Sequence, residues 1–252
     1  MASSRKVIEL FYDVVSPYSW LGFEVMCRYR NVWNIDLKLR PAFLGGIMQG
    51  SGNKPPGLVP NKFLYMTTDL HRLAQYFQVP ISPPADPFEA MFEKGSLSAM
   101  RFVAAVQERE VGGDKQVEQV SRELWMRIWS QDKDITQPAS LSEAAMKAGL
   151  SASEVEELLK LSTSKEIKDK LKRSTQEALD HRCGSGHQYQ YIHFFHYLTL
   201  SLYSLPQAFG FPLAVCHVNG KAEVFFGSDR FELIAHCIGE KWMGPQPAAA
   251  KL

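Results

Sequence analysis

The sequence predicts an α/β fold in which a long all-helical stretch interrupts a small sheet. Three observations carry that prediction. The chain opens strand, helix, strand. Residues 60 to 181 then show apolar spacings of three and four with no convincing strand, and two apolar strands around Asn219-Gly220 followed by a helix close the chain.

Taken in order, Val7 to Phe11 is a short apolar strand. Ser16-Pro17-Tyr18-Ser19 breaks it, and an apolar helix pattern runs from Pro17 to about Trp33. Pro17 suits the first helical turn, where a missing N–H costs nothing, and Ser16 suits the cap before it. Ile35, Leu37 and Leu39 alternate with Asp36, Lys38 and Arg40, which reads as a half-buried second strand. Short connections on both sides of the helix make this a βαβ unit with parallel strands.

Phe63, Met66, Leu70, Leu73 and Phe77 define an amphipathic helix entered from Pro60-Asn61. Further helices are predicted around Met100–Val106, Val117–Ile128 and Ile167–Ala178. Ser151-Ala152-Ser153-Glu154 is a capping box opening another. Pro212 to Val218 and Ala222 to Phe226 flank Asn219-Gly220, the strongest short hairpin signal. Asp229 is expected to cap the last helix, with Glu232 three residues on. A strand pair plus a hairpin in one sheet, flanked by helices, is the thioredoxin-like arrangement. The expected organisation is a thioredoxin-like domain (βαβ…ββα) from 1–59 and 208–252, with an inserted all-helical subdomain at 60–182.

Composition narrows the function classes. Apolar residues make up 45% and charged residues 22% of 252 positions, with a formal charge of +1. That balance argues against nucleic acid or an anionic membrane as main partner. No run approaches the roughly 18 apolar residues of a membrane span. Cys27, Cys183, Cys216 and Cys237 are scattered without zinc spacing, which reads as reduced intracellular thiols. His187, His193 and His196 cluster without a spaced carboxylate or cysteine, so no metal site is expected. Trp125 and Trp129, at i and i+4, read as core, and Cys27 reads as buried and inert. No secretory signal is read at the start, and Ala250-Lys251-Leu252 is a one-residue variant of the S-K-L peroxisomal address.

The motifs LFYDVVSPYSWLGFE, SGNKPPG, KGSLSAMRF, SRELWMRIWS, FFGSDRFELIAH and GEKWMGP together closely resemble the kappa-class glutathione transferases. The resemblance spans nearly the whole chain. It implies a homodimer with a thioredoxin-like domain and a DsbA-like helical insertion, located in peroxisome or mitochondrion. Glutathione is then a cosubstrate rather than a permanently bound cofactor, and the partner substrate is a small electrophile. By motif match, Ser16 supports the glutathione thiolate, and Pro17 and Tyr18 belong to the same site. Asn53 and Lys62 contribute to glutathione binding, and Phe211, where the family usually has leucine, offers backbone beside the cis-proline Pro212. Ser228 and Asp229 hold the γ-glutamyl end.

Those residue types suit the chemistry. Only the thiolate of glutathione is a good nucleophile. Each pKa unit by which a site lowers the thiol corresponds to about 1.4 kcal/mol of preferential thiolate binding. A hydroxyl and unpaired N–H groups at a helix start can supply about one to two units. A cysteine at position 16 would form a mixed disulfide, whereas serine leaves the sulfur free to attack. The bland reading of Ser16 and of Ser228-Asp229 is helix capping, which is compatible with both roles. Tyr18 fits a packing role equally well, Asn53 a turn, and Lys62 a solvated face. The expected activity is conjugation, with hydroperoxide reduction as a second. The alternatives are a glutathione-dependent isomerase of the 2-hydroxychromene-2-carboxylate type and an inactive thioredoxin-like binding module.

Residues 183–207, CGSGHQYQYIHFFHYLTLSLYSLPQ, do not fit. The family joins helix to strand here with only a few residues. The segment has no Asp, Glu, Lys or Arg after Arg182, and its residue types suit a translated pyrimidine tract ending in CAG. The hypothesis is retained intron sequence. Uninterrupted genomic coding sequence with no donor site near residue 183 would refute it.

Overall fold

A computed structural model of the chain describes residues 4–109, 114–181 and 208–247. Residues 183–207, expected to be an insert, with their histidine cluster and Cys183, and the Ala250-Lys251-Leu252 end lie outside the described residues.

Four strands form one mixed sheet in the order β2-β1-β3-β4, where β1 is Lys6–Tyr12, β2 Ile35–Pro41, β3 Leu213–Val218 and β4 Lys221–Phe226. β1 runs parallel to β2, with Ile8 opposite Leu37, and antiparallel to β3, with Leu10 opposite Ala214. The parallel pair follows from the crossover through α1 (Pro17–Tyr29). β3 and β4 form the predicted hairpin. Asn219 and Gly220 have φ of 51° and 75°, the left-handed pair that a two-residue turn of this hand requires. β2 alternates as expected, with Ile35, Leu37 and Leu39 inward.

α1 ends at Tyr29 rather than near Trp33. Val32 and Trp33 N–H both turn back onto the Tyr29 carbonyl. The Trp33 indole donates to Lys241 O at 2.9 Å, drawing that residue out of the helix and against Trp242. After β2 comes α2 (Leu44–Ser51), which the sequence reading missed. Its three glycines make it a poor intrinsic helix, and tertiary bonds start it instead. Phe43 N–H donates to Thr175 Oγ1, and Leu44 N–H to Asp13 Oδ2.

The helical part comprises α3 (Pro60–Phe77), a π-helical turn (Glu89–Lys94), α4 (Leu97–Arg109), α5 (Lys115–Ser130), α6 (Pro138–Lys147), α7 (Ala152–Ser162) and α8 (Lys165–Asp180). The capping box at Ser151 is present, with Ser151 N–H donating to Glu154 Oε2 at 2.8 Å. The chain then returns to the sheet through β3 and β4 and ends in α9 (Phe231–Ile238).

One apolar core runs through sheet and helices alike. α1 is its axis. Trp20 lies parallel to Trp125 of α5 at 6.2 Å, and Phe23 meets the same indole edge-on at 4.9 Å. Behind α1, Gly22 packs on Pro212 so closely that a Cβ there would lie 2.9 Å from Pro212 Cγ. A smaller cluster on the other sheet face joins Phe11, Ala178, Leu179, Ala208, Phe211 and Val215.

Candidate functional site

The turn from β1 into α1 is built from its residues inward. Asp13, Val14, Val15 and Ser16 are all buried. Asp13 accepts three hydrogen bonds: from Val15 N–H at 3.0 Å, Leu44 N–H at 2.8 Å and Ser96 Oγ at 2.9 Å. It thereby ties together the starts of α1, α2 and α4. Burial pushes its carboxyl up to about 6, against the opposing pull of those three donors. Met100 Sδ takes Val14 N–H. The indoles of Trp129 and Trp125 donate to Val15 O at 3.2 Å and Ser16 O at 3.1 Å. The predicted core role of these tryptophans therefore has a polar half. Trp129 gives the buried Val15 carbonyl a partner, and Trp125 adds a second donor to the Ser16 carbonyl, which also takes Trp20 N–H.

Ser16 is the N-cap of α1, as expected, with extended backbone (φ −89°, ψ 117°). Its Oγ accepts from Ser19 N–H at 3.1 Å and donates to Phe211 O over a long 3.4 Å. The side chain is 6% exposed and lines a cavity of about 920 Å³. The expected ring of free amides is smaller than the capping pattern suggests. Pro17 has no N–H and Ser19 is held by the cap, which leaves Tyr18 N–H without a partner among the described residues. A hydroxyl whose hydrogen is only loosely engaged, beside one free amide at a helix start, can hold a sulfur anion.

The other expected residues converge on the same cavity. Pro17, Tyr18, Phe211 and Pro212 line it beside Ser16, and the Phe211–Pro212 peptide bond is cis. Tyr18 Oη donates to Asp69 Oδ2 at 3.0 Å. Burial first, then the Asp69 charge, raise the phenol above its ordinary pKa, so it stays protonated. Asn53 lines the cavity and also serves its turn. Its Nδ2 donates to Phe209 O at 2.6 Å, and its Oδ1 accepts Lys54 N–H at 2.8 Å. Lys62, exposed on the first turn of α3, faces the cavity as well.

Ser228 and Asp229 complete the lining, but not as a cap. Arg230 is the N-cap of α9, with no side-chain capping bond, and Asp229 instead pairs with Arg230 at 3.0 Å. The helix therefore starts two residues after Asp229, and Glu232 closes no box there. Gly227 N–H donates to Pro212 O at 2.9 Å, which brings Ser228 to the cis-proline turn.

Two carboxylates at the site went unread in the sequence. Asp13 was visible as the one charge interrupting an apolar strand end. Asp69 follows Lys62 by seven residues on α3 and shares its face, so the helical period places both on one wall. Cys27, by contrast, lies away from the cavity lining. Burial, then the Glu118 charge, push its thiol up to about 12, which suits an inert role. Among the described residues no group of three or more His, Cys, Asp or Glu side chains gathers at a metal-binding distance, and no helix is long and apolar enough to cross a membrane.

Comparison with known proteins follows the same lines. A family model described as a DSBA-like thioredoxin domain matches residues 7–183. The chain is 49% identical to glutathione S-transferase kappa 1 of Homo sapiens, covering 99% of this chain and 98% of that protein. The chain belongs to the kappa-class glutathione S-transferases. It is an enzyme of that class, and the rat kappa 1 protein (Rattus norvegicus) is 47% identical over 98% of this chain and 97% of its own. The same architecture occurs in a 2-hydroxychromene-2-carboxylate isomerase, with a TM-score of 0.63 and 17% identity over 92% of this chain and 94% of that one. The cytosolic disulfide reductase DsbM of Pseudomonas aeruginosa has a TM-score of 0.55 and 15% identity, covering 87% and 88%. At such identities the likeness is one of fold, and the kappa-class assignment rests on the full-length relatives.

Proposed function

We propose that this kappa-class enzyme holds the glutathione thiolate at Ser16 and presents it to small electrophiles, with hydroperoxide reduction as a second use of the same sulfur. One observation carries the reading. Ser16, Asn53, Lys62, Phe211, Ser228 and Asp229 come from separated stretches of chain and share one cavity. Its volume, about 920 Å³, lies at the upper end of the range for small-molecule sites.

In this reading the Ser16 hydroxyl exchanges its long bond to Phe211 O for a bond to sulfur, and Tyr18 N–H adds a second donor. Lys62 faces the glycyl carboxylate as a point charge, and Asp229 faces the γ-glutamyl ammonium. Tyr18 Oη, committed to Asp69, is a wall of the thiol pocket and gives the sulfur no proton. The proposed assembly is a homodimer, which sedimentation equilibrium tests.

Ser16→Ala is the deciding variant. It should raise the pKa of the bound thiol by about one to two units and slow conjugation near neutral pH about tenfold or more. Glutathione affinity should stay within a few-fold, because the peptide contacts remain. An unchanged pH–rate profile removes Ser16 from the mechanism.

A further inference from the structure

Asp69 has no part in the glutathione contacts above, yet the geometry gives it a defined place. Its carboxylate and the side chain of Lys62 line the same cavity from one face of α3. Asp69 Oδ2 accepts the Tyr18 hydroxyl at 3.0 Å, and Tyr18 is the second residue of the helix that Ser16 caps. The length of the Tyr18 side chain therefore separates this carboxylate from the Tyr18 N–H beside the proposed sulfur anion. Because the phenol keeps its proton, it fixes Asp69 in the cavity wall without removing the charge.

The other charged side chains lining the cavity are Lys54, Lys62, Lys94 and Asp229. Lys94 is paired with Glu89 at 3.1 Å, and Asp229 with Arg230 at 3.0 Å. Lys62 faces the glycyl carboxylate in the reading above, and Lys54 belongs to the exposed 52–54 stretch. Asp69 is half-buried in this wall, so its charge is less screened than one in open solvent.

Building on the glutathione reading, we propose that Asp69 is a specificity-determining residue that turns away electrophiles carrying a negative charge next to the reacting carbon. The second substrate is then neutral or cationic at that position. Like charges one side chain apart, in a partly desolvated wall, repel strongly enough to lower binding about tenfold.

Two isosteric conjugates test this without turnover: S-(carbamoylmethyl)glutathione and S-(carboxymethyl)glutathione, titrated by calorimetry. The wild-type protein should bind the neutral conjugate about tenfold more tightly. Asp69→Asn keeps an acceptor for the Tyr18 hydroxyl and removes the charge, so the preference should fall to within about twofold. Asp69→Glu should retain it. An unchanged ratio in Asp69→Asn, or an equal loss of both conjugates, overturns the proposal. Failure of both conjugates and of glutathione itself to bind the wild type overturns the glutathione reading, and Asp69's role with it.

Discussion

The two sides of the cavity are built in opposite ways. Residues 13–16 are buried, and the backbone groups of that turn are taken by its own Asp13 and by Met100, Trp125 and Trp129 from distant segments. Across the cavity, residues 52–65 are mostly exposed, with Asn53 the side chain that ties them back, to Phe209 O. The difference teaches where accuracy is needed. Holding a sulfur anion requires donors placed within a fraction of an ångström, whereas clamping a terminal carboxylate needs only a positive charge within reach.

Substitutions on the buried side should therefore cost stability, and those on the exposed side should cost affinity alone. The largest loss is expected from Asp13→Ala, which strands Val15 N–H, Leu44 N–H and Ser96 Oγ without their acceptor. About 3 kcal/mol of unfolding free energy should disappear in urea titration. Asp13 also supplies a pH signature. Its folded pKa of about 6 lies above the ordinary value of 3.8, so the native state takes up the proton first. The stability contributed by this group rises as pH falls through about 6 toward 3.8, by about 1 kcal/mol between pH 7 and 5. Asp13→Asn, smaller in cost because it keeps shape and one acceptor, should lack that rise. His181, whose pKa burial lowers, acts in the opposite direction in both proteins and cancels in their difference.

Gly22→Ala comes next. The added methyl meets Pro212 at 2.9 Å, and the overpacking outweighs the helix-propensity gain of about 1 kcal/mol. A net loss of about 1 kcal/mol is expected, with slower conjugation because the Phe211 carbonyl moves relative to Ser16. The smallest stability change belongs to Lys62→Ala, within about 0.5 kcal/mol, since its side chain is exposed. Its glutathione dissociation constant should nevertheless rise about tenfold by calorimetry. A Lys62→Ala protein that unfolds as easily as Asp13→Ala would erase the contrast between the two sides.

Local signals made much of this legible. The cap at Ser16, the box at Ser151 and the Asn219-Gly220 turn each depend on a few adjacent residues, and each stands in the structure as read. The parallel β1–β2 pair followed from the short βαβ connection and the β3–β4 hairpin from its turn, whereas the β1–β3 pairing that joins them is seen only in the structure. What stayed hidden depends on partners far along the chain. α2 is held by Asp13 and Thr175, 31 and 132 residues away, while its own glycines argue against a helix. Asp13 matters because residues 44 and 96 bring donors to it. Asp229 with Glu232 three residues on looks like a cap ahead of an apolar face, whereas α9 starts from Arg230. The Asp229–Arg230 pair and the cavity lining give Asp229 other work. The site residues themselves came from the family resemblance, and their meeting in space lay beyond the reach of spacing alone.

The small apolar cluster behind the sheet has a consequence for chain length. Ala178 and Leu179, near the end of α8, and Ala208, just before β3, are buried in that one cluster, and His181 rests edge-on against Phe11 at 5.6 Å. Both banks of the 182–207 crossing are thus moored to common ground. Phe11 pairs with Leu213 between those banks, and each doubling of a connection adds only about 0.6 kcal/mol of closure entropy, so the banks rather than the length of the crossing set the register.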